Sequence, residues 1–236
     1  MILITLDIDW APDFIIKKVD EMLTEKNVKA TWFVTHKSAY LKALSKNRNY
    51  ELGIHPNFLS NTTQGKTPKE ILKKLKKIVP SAVSLRAHSL HQNSHLLSLY
   101  KDYGIKFDTS LLLYKTKNIK PHYHPLFELH RVPFFWEDDV EVYEKNPDWS
   151  FKSTKHIPGL KIYNFHPIHI ILNTNNMNDF KKIQKKIEVN SLNDETLQKY
   201  VNKKKGVKDI FLEILEFLQS KKTFTVNEVI KNRLSV

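Results

Sequence analysis

The chain contains no cysteine. That excludes disulfides, thiolate metal sites and thiol nucleophiles, so any metal must be held by His, Asp, Glu or Asn. An export or membrane signature is also missing. The opening MILITLDIDW has no basic n-region and no small-residue cleavage site, and acidic residues interrupt its apolar run. Neither a signal peptide nor a membrane span is therefore expected, and a cytoplasmic protein is. No internal repeat or linker stands out. Arginine and glycine are scarce beside lysine and asparagine, and the formal net charge is +13. A basic surface attracts polyanions. The lysines, however, fall mainly in stretches such as KEILKKLKKI and FKKIQKKIE, interleaved with apolar residues at helical spacing, as the solvated faces of amphipathic helices are. Nucleic-acid binding is accordingly the last-ranked reading.

What is present is enough for one core. The 236 residues, 41% hydrophobic and 11% aromatic, fit a single α/β barrel of the kind that runs to roughly 200–250 residues. Seven short runs rich in β-branched and aromatic residues recur at Ile2–Asp9, Ala30–Thr35, Glu51–His55, Ser84–His88, Lys106–Ser110, Arg131–Phe135 and Lys161–His166. Helical periods lie between most of them, the pattern of parallel βα units. Helices are expected over Pro12–Lys26, over Thr67–Ile78 with an N-cap Thr, a first-turn Pro and a capping-box Glu, and over Asn93–Tyr103, stopped by Gly104. Further helices are expected over Asn178–Glu188, Asp194–Lys203 and Val207–Lys221, while Tyr114–Leu129 lacks a period and reads as loop.

Nearly every predicted strand ends in a polar, charged or metal-capable residue: Asp7 and Asp9, His36, His55, Arg86 and His88, Asp108, Trp136 to Asp139, and His166. Barrel enzymes build their sites from the carboxyl ends of several strands, so these endings point to one shared pocket. Alternate residues of a strand share a face, which puts Asp7 and Asp9 together with Thr5 and Leu3. Two carboxylates that close require a metal, an arginine or a shared proton. A metal on Asp9 and neutral imidazoles such as His55, with positions left open for water and substrate, would leave Asp7 free to act as a base.

These residues together resemble the polysaccharide deacetylase (NodB homology) family, carbohydrate esterase family 4, as a divergent member. The resemblance spans about residues 2–173, with residues 178–236 expected to complete the domain as helices. It implies a distorted (β/α)7 TIM-like barrel formed as a single domain over 1–236. The family's first motif stands here as Thr5-Leu6-Asp7-Ile8-Asp9, with Asp7 implied as catalytic base and Asp9 as metal ligand. The second, two histidines four apart, matches at His55 only, because Leu59 occupies the other position. The third implies that Arg86 holds the catalytic carboxylate. The fourth, a Trp with acidic residues, resembles Trp136-Glu137-Asp138-Asp139, and the last implies His166 as general acid. His88, two residues after Arg86, is the candidate third metal ligand; Asn57, His36 and His169 are runners-up. Trp136, Asp138, Asn57 and His36 are the candidate substrate contacts. The implied cofactor is a divalent metal, zinc first, with cobalt, nickel or manganese as alternatives. The implied activity is hydrolytic removal of an N-acetyl group from an amino sugar, in a nucleotide-linked or lipid-linked precursor of a surface polysaccharide rather than finished cell wall. The alternatives are a catalytically impaired sugar-binding protein on the same fold and a related amide hydrolase of deformylase type.

Overall fold

A computed structural model describes residues 1–9, 11–186 and 194–231. Nine strands form one curled sheet: β1 (Ile2–Asp7), β2 (Ala30–Val34), β3 (Tyr50–Ile54), β4 (Ser84–Leu85), β5 (Phe107–Asp108), β6 (His122–His124), β7 (Leu129–Arg131), β8 (Trp136–Glu137) and β9 (Lys161–Phe165). Their order is β6-β7-β5-β4-β3-β2-β1-β9-β8. Every pairing is parallel except β6 with β7. The parallel βα units are those that the spacing of apolar runs predicts, and the whole is the distorted barrel that the resemblance implies, with nine strands where seven were expected. Parallel strands joined by helices bury both faces, which is why β1, β2 and β9 read as near-continuous apolar runs.

The expected sixth strand, Arg131–Phe135, is instead the end of one strand and the gap before the next. β7 ends at Arg131 and β8 begins at Trp136, because Pro133 between them has no N–H to give to a ladder. The interruption has an architectural use. β7 pairs with β5 and β8 pairs with β9, so the single run 129–137 joins the two sides of the curled sheet. Across the gap Phe134 bridges to Leu112, and the Phe135 N–H donates to the Ile162 carbonyl at 2.9 Å. The expected loop Tyr114–Leu129 also contains more order than its sequence suggests: β6 forms a short antiparallel hairpin with β7, the two joined by a turn of 3-10 helix over Pro125–Phe127.

The helices lie where the apolar periods place them. Asp13–Glu25 buries Ile15, Ile16, Val19 and Leu23. Pro68–Ile78 buries Ile71, Leu72 and Leu75 and turns Lys73, Lys74 and Lys77 outward, so its charge is a solvated face. Thr67 caps that helix through the Glu70 N–H, but the Glu70 carboxylate reaches Lys66 N rather than closing a capping box on Thr67. Gly104 adopts the left-handed conformation, φ 72°, that ends the turn after Ser94–Tyr100. The expected helix 178–188 is seen as Met177–Lys186, and its last two positions lie outside the described residues. The expected Asp194–Lys203 is shorter, at Asp194–Gln198, and Val207–Leu218 is the apolar helix foreseen.

At the amino-terminal end of the strands, the segment 225–228 seals the barrel. The buried Glu51 carboxylate accepts from Thr31, Ser84 and the Asn227 N–H, and the Val226 N–H donates to Thr31 Oγ1 at 2.9 Å. Higher in the interior, β3 passes close to a large ring. A Cβ on Gly53 would stand 2.7 Å from the Phe33 ring and 2.8 Å from the Ser84 carbonyl oxygen. The contact is with backbone as well as side chain, so it cannot relax by rotation alone. Gly53→Ala is expected to lower stability by about 1–3 kcal/mol, read as a shift in the urea midpoint; an unchanged midpoint would show that the Phe33 wall yields.

Candidate active site

The carboxyl ends of β1, β3, β4 and β9 converge on one cluster. β1 and β9 pair with Thr5 opposite Asn164, and residues of like parity on both strands face inward: Thr5 and Asp7 from β1, Asn164 and then His166 from β9. Arg86, just past β4, enters this interior completely buried. Its guanidinium lies between two rings, 4.3 Å from the Phe134 centroid and 4.8 Å from that of Phe33. It donates to Asp7 Oδ1 at 3.2 Å, to Thr5 Oγ1 at 3.0 Å, to the Thr109 carbonyl at 3.3 Å and to Asn164 Oδ1. Asn164 Nδ2 in turn donates to Asp7 Oδ2 at 2.8 Å and to Glu137 Oε1 at 3.0 Å. Both oxygens of Asp7 are thereby fixed by donors from two other strands.

Asp9, two residues on, has different company. Its Oδ2 lies 3.0 Å from His88 Nδ1, 3.3 Å from His55 Nε2 and 3.9 Å from His166 Nε2. Burial works to raise the Asp9 pKa, but the charge and hydrogen bonds of His55, with the bond to His88, outweigh it and hold the carboxyl well below the usual range. Burial likewise works against the charged form of His55, and Asp7 and Asp9 overcome it, raising its pKa. The two carboxylates that the sequence places on one face are thus divided between an arginine and a set of imidazoles. Leu59, at the position of the absent second histidine, lies on the exposed loop after β3. His88 is brought in from the next strand by a tight turn in which Ser89 and Leu90 both have positive φ, 52° and 54°. For leucine that conformation costs about 1–2 kcal/mol, a strain of the kind that concentrates at functional sites.

The donor atoms of Asp9, His55 and His88 lie within 4.8 Å of one another. Around a tetrahedral zinc, ligand atoms at about 2.0–2.1 Å from the ion stand about 3.3 Å apart, and the 3.3 and 3.0 Å spacings here fit. Two nitrogens and one carboxylate oxygen are also a donor set that zinc accepts.

His166 faces the same space from β9. Its Nδ1 is 2.7 Å from Asp138 Oδ1, and its backbone N–H donates to the other Asp138 oxygen at 2.7 Å. Burial opposes its charge, yet Asp139 and Asp138 raise its pKa well above the ordinary value. Glu137 is buried beside it and forms no ion pair within 4 Å among the described residues. Burial first, opposed by His166 and reinforced by Asp7 and Asp139, pushes its carboxyl up to about 7.

Two sequence-predicted substrate contacts take other places. Trp136 is fully buried, with its indole N–H on Glu141 Oε2 at 2.7 Å and its ring packed on Trp149, Tyr163 and Phe165, so it offers no face to a sugar. Asp138 is also fully buried and holds His166. His36 and Asn57 do line open space. With Asp9, Thr35, Asn61, Thr62, Thr63 and Gln64 they bound a cleft of about 280 Å³. Burial holds the His36 imidazole below its ordinary pKa, against the pull of Asp9 and Asp13. His169 pairs with Asp139 instead of Asp9. Sequence reasoning assigns Glu137 no role of its own within the fourth motif and leaves Asn164 out, although Asn164 stands two residues before His166 and shares its face by the parity that joins Asp7 to Asp9.

Comparison with known proteins follows the same lines. The sequence profile of the WbmS-like polysaccharide deacetylases matches residues 4–184. A crystal structure from Bordetella bronchiseptica, provisionally described as a polysaccharide deacetylase involved in O-antigen biosynthesis, is 30% identical. The match covers 92% of this chain and 90% of that one, with a TM-score of 0.83. A Mycobacterium smegmatis protein provisionally described as a polysaccharide deacetylase is 15% identical, with coverages of 98% and 90% and a TM-score of 0.55. A CE4 family pseudoenzyme from Bacillus anthracis is 15% identical, with coverages of 98% and 65% and a TM-score of 0.50. The last two show a shared fold. No curated protein matches the sequence.

The raised Glu137 carboxyl has a measurable consequence for stability. Its folded pKa, about 7, lies above its ordinary 4.5, so the folded state holds a proton that the unfolded chain releases. The stabilisation is complete below about 4.5 and is lost as pH rises toward 7. In metal-free protein, Glu137→Gln should remove on the order of 3 kcal/mol of this pH-dependent loss. The comparison is of urea midpoints for the variant and wild type across that window. Parallel pH profiles would show that Glu137 ionises normally.

Proposed function

The chain belongs to the WbmS-like polysaccharide deacetylase family, and from that premise we propose that it is a metal-dependent hydrolase removing the N-acetyl group from an amino sugar in a surface-polysaccharide precursor. The observation that carries this reading is the division of labour between two neighbouring carboxylates. Asp7 is held by Arg86 and Asn164, and Asp9 is held among His55, His88 and His166. Asp9, His55 and His88 are the residues that would hold the ion, zinc before cobalt, nickel or manganese. A divalent cation there supplies Lewis acidity toward the acetamide carbonyl and lowers the pKa of attacking water.

The rest of the chemistry belongs to the chain's own side chains. Asp7 accepts the proton of the attacking water at its carboxylate, which Arg86 and Asn164 keep in one rotation. His166, kept protonated by Asp138 and Asp139, donates from Nε2 to the departing amine. Atoms of Asp7, Glu137 and His166 come within 4.8 Å of one another, so base and acid flank the same small space. That space is a cavity of about 70 Å³, bounded by Asp7, His55, Arg86, Glu137 and His166 among others. Its size suits an acetyl group and a water molecule rather than a ring. The sugar itself would lie in the larger cleft, where Asn57 and His36 offer hydrogen bonds to hydroxyls and no aromatic platform is needed. The O-antigen role given to the Bordetella protein is the support for a surface-polysaccharide precursor.

Two variants separate the roles. Asp7→Asn should retain zinc and lose about 10²–10⁴-fold in acetate release from an N-acetylated amino sugar, whereas Asp9→Ala should fail to retain zinc on dialysis against metal-free buffer. Wild-type turnover in Asp7→Asn would remove Asp7 from the mechanism, and formate from a formylated substrate in place of acetate would move the activity to the deformylase class. The pH profile gives an independent check. Turnover should fall as pH rises through the elevated pKa of His166, because the acid loses its proton, and His166→Gln should abolish that limb.

A further inference from the structure

On the far side of His166 from Asp138, a second set of donors converges. His169 lies one helical turn after His166, and the two rings stand 5.8 Å apart. Between them is Asp139, with Oδ1 2.8 Å from His169 Nε2 and Oδ2 3.8 Å from His166 Nε2. The orientation of each ring is fixed from behind: His166 Nδ1 by the Asp138 carboxylate at 2.7 Å, and His169 Nδ1 by the Thr174 hydroxyl at 3.1 Å. An oxygen on one ring nitrogen with the other aimed at a common point is how proteins prepare histidines as metal ligands. Nothing in the proposed deacetylation uses His169, which is buried in the short helix Pro167–Leu172 against Phe180 while its Nε2 turns to the half-exposed Asp139 carboxylate.

We propose that Asp139, His166 and His169 form a second divalent-cation site, suited to zinc and similar ions, and that an ion there silences the enzyme by occupying His166 Nε2. The inhibitory part rests on His166 being the proton donor; the binding part does not. The 3.8 Å separation is wider than the about 3.3 Å edge of a tetrahedral zinc site, so this site fills at higher zinc than the one at Asp9. The reaction is then limited from both sides: too little zinc leaves the first site empty, and too much takes the acid out of use.

Equilibrium dialysis of the full-length protein against zinc, with bound metal counted by elemental analysis, tests this without an activity assay. Wild type should take up two equivalents in separate steps. His169→Gln and Asp139→Asn should each take one, and Asp9→Ala should keep only the weaker. In parallel, acetate release by wild type should drop on the order of a hundredfold as the second equivalent loads, while His169→Gln starts from the same rate and holds it over that range. A single equivalent in wild type that persists in His169→Gln, two in His169→Gln, or none in Asp9→Ala would each overturn the second site. Two equivalents in Asp9→Ala with one in His169→Gln would uphold the second site and refute the Asp9 centre, so the two failures are distinguishable.

Discussion

The Arg86 guanidinium is a full positive charge inside the barrel, and the arrangement around it follows from that fact. An ion without partners in such a place is untenable, and removing one partner from a buried pair costs about 3–5 kcal/mol. The chain meets the demand from several strands at once: Asp7 and Thr5 from β1, Asn164 from β9, and the Thr109 carbonyl just after β5. Phe33 and Phe134 close the two faces of the guanidinium plane. Because the partners come from β1, β9 and the end of β5, the charge acts as a pin through the sheet and fixes the height at which the strands end. Asp9, His55, His88 and His166 then project just beyond that level, where a ligand can reach them.

That pin also explains why two carboxylates two residues apart can behave as different reagents. One ends on a permanent cation and an amide, and the other on imidazoles whose charge is negotiable. Asn164 ties the first of them to Glu137, since its amide nitrogen touches Asp7 and Glu137 while its oxygen takes up Thr5 and Arg86. Asp138, Asp139 and Glu137 form a second acidic group around His166, to whose charge Asp7 also contributes.

Much of this is legible in the sequence, because strand alternation is a geometric rule that survives translation into three dimensions. It brings Asp7 and Asp9 to one side, sets Arg86 and His88 together just beyond the end of β4, and reaches Asn164 when followed backward from His166. The rule fails where the strand fails. At 136–139 the chain leaves β8 and enters a short helix over Asp138–Glu141, so alternation no longer says which way Trp136 and Asp138 point. One fills the outer aromatic layer and the other buttresses His166. A three-residue edge strand such as β6 has too short a period to read, and the split at Pro133 is visible only once β8 is seen to pair with β9. The deletion of a histidine at Leu59 is likewise a gap in sequence but a substitution in space, since His88 stands beside the same carboxylate oxygen.

The place of β1 in the sheet has a consequence for how the molecule is made. The first strand of the chain is an inner one, and its Asp7 hydrogen bonds to Asn164, 157 residues later. On a ribosome, β1 through β7 emerge with the pocket open on one side, and Arg86 waits without its amide partner until β9 is out. Assembly of the catalytic end is therefore a late event in synthesis, dependent on contacts of very long sequence separation. A nascent chain arrested before β9 would hold every strand-end residue of the pocket except Asn164 and His166, and none of the closure that makes them a site.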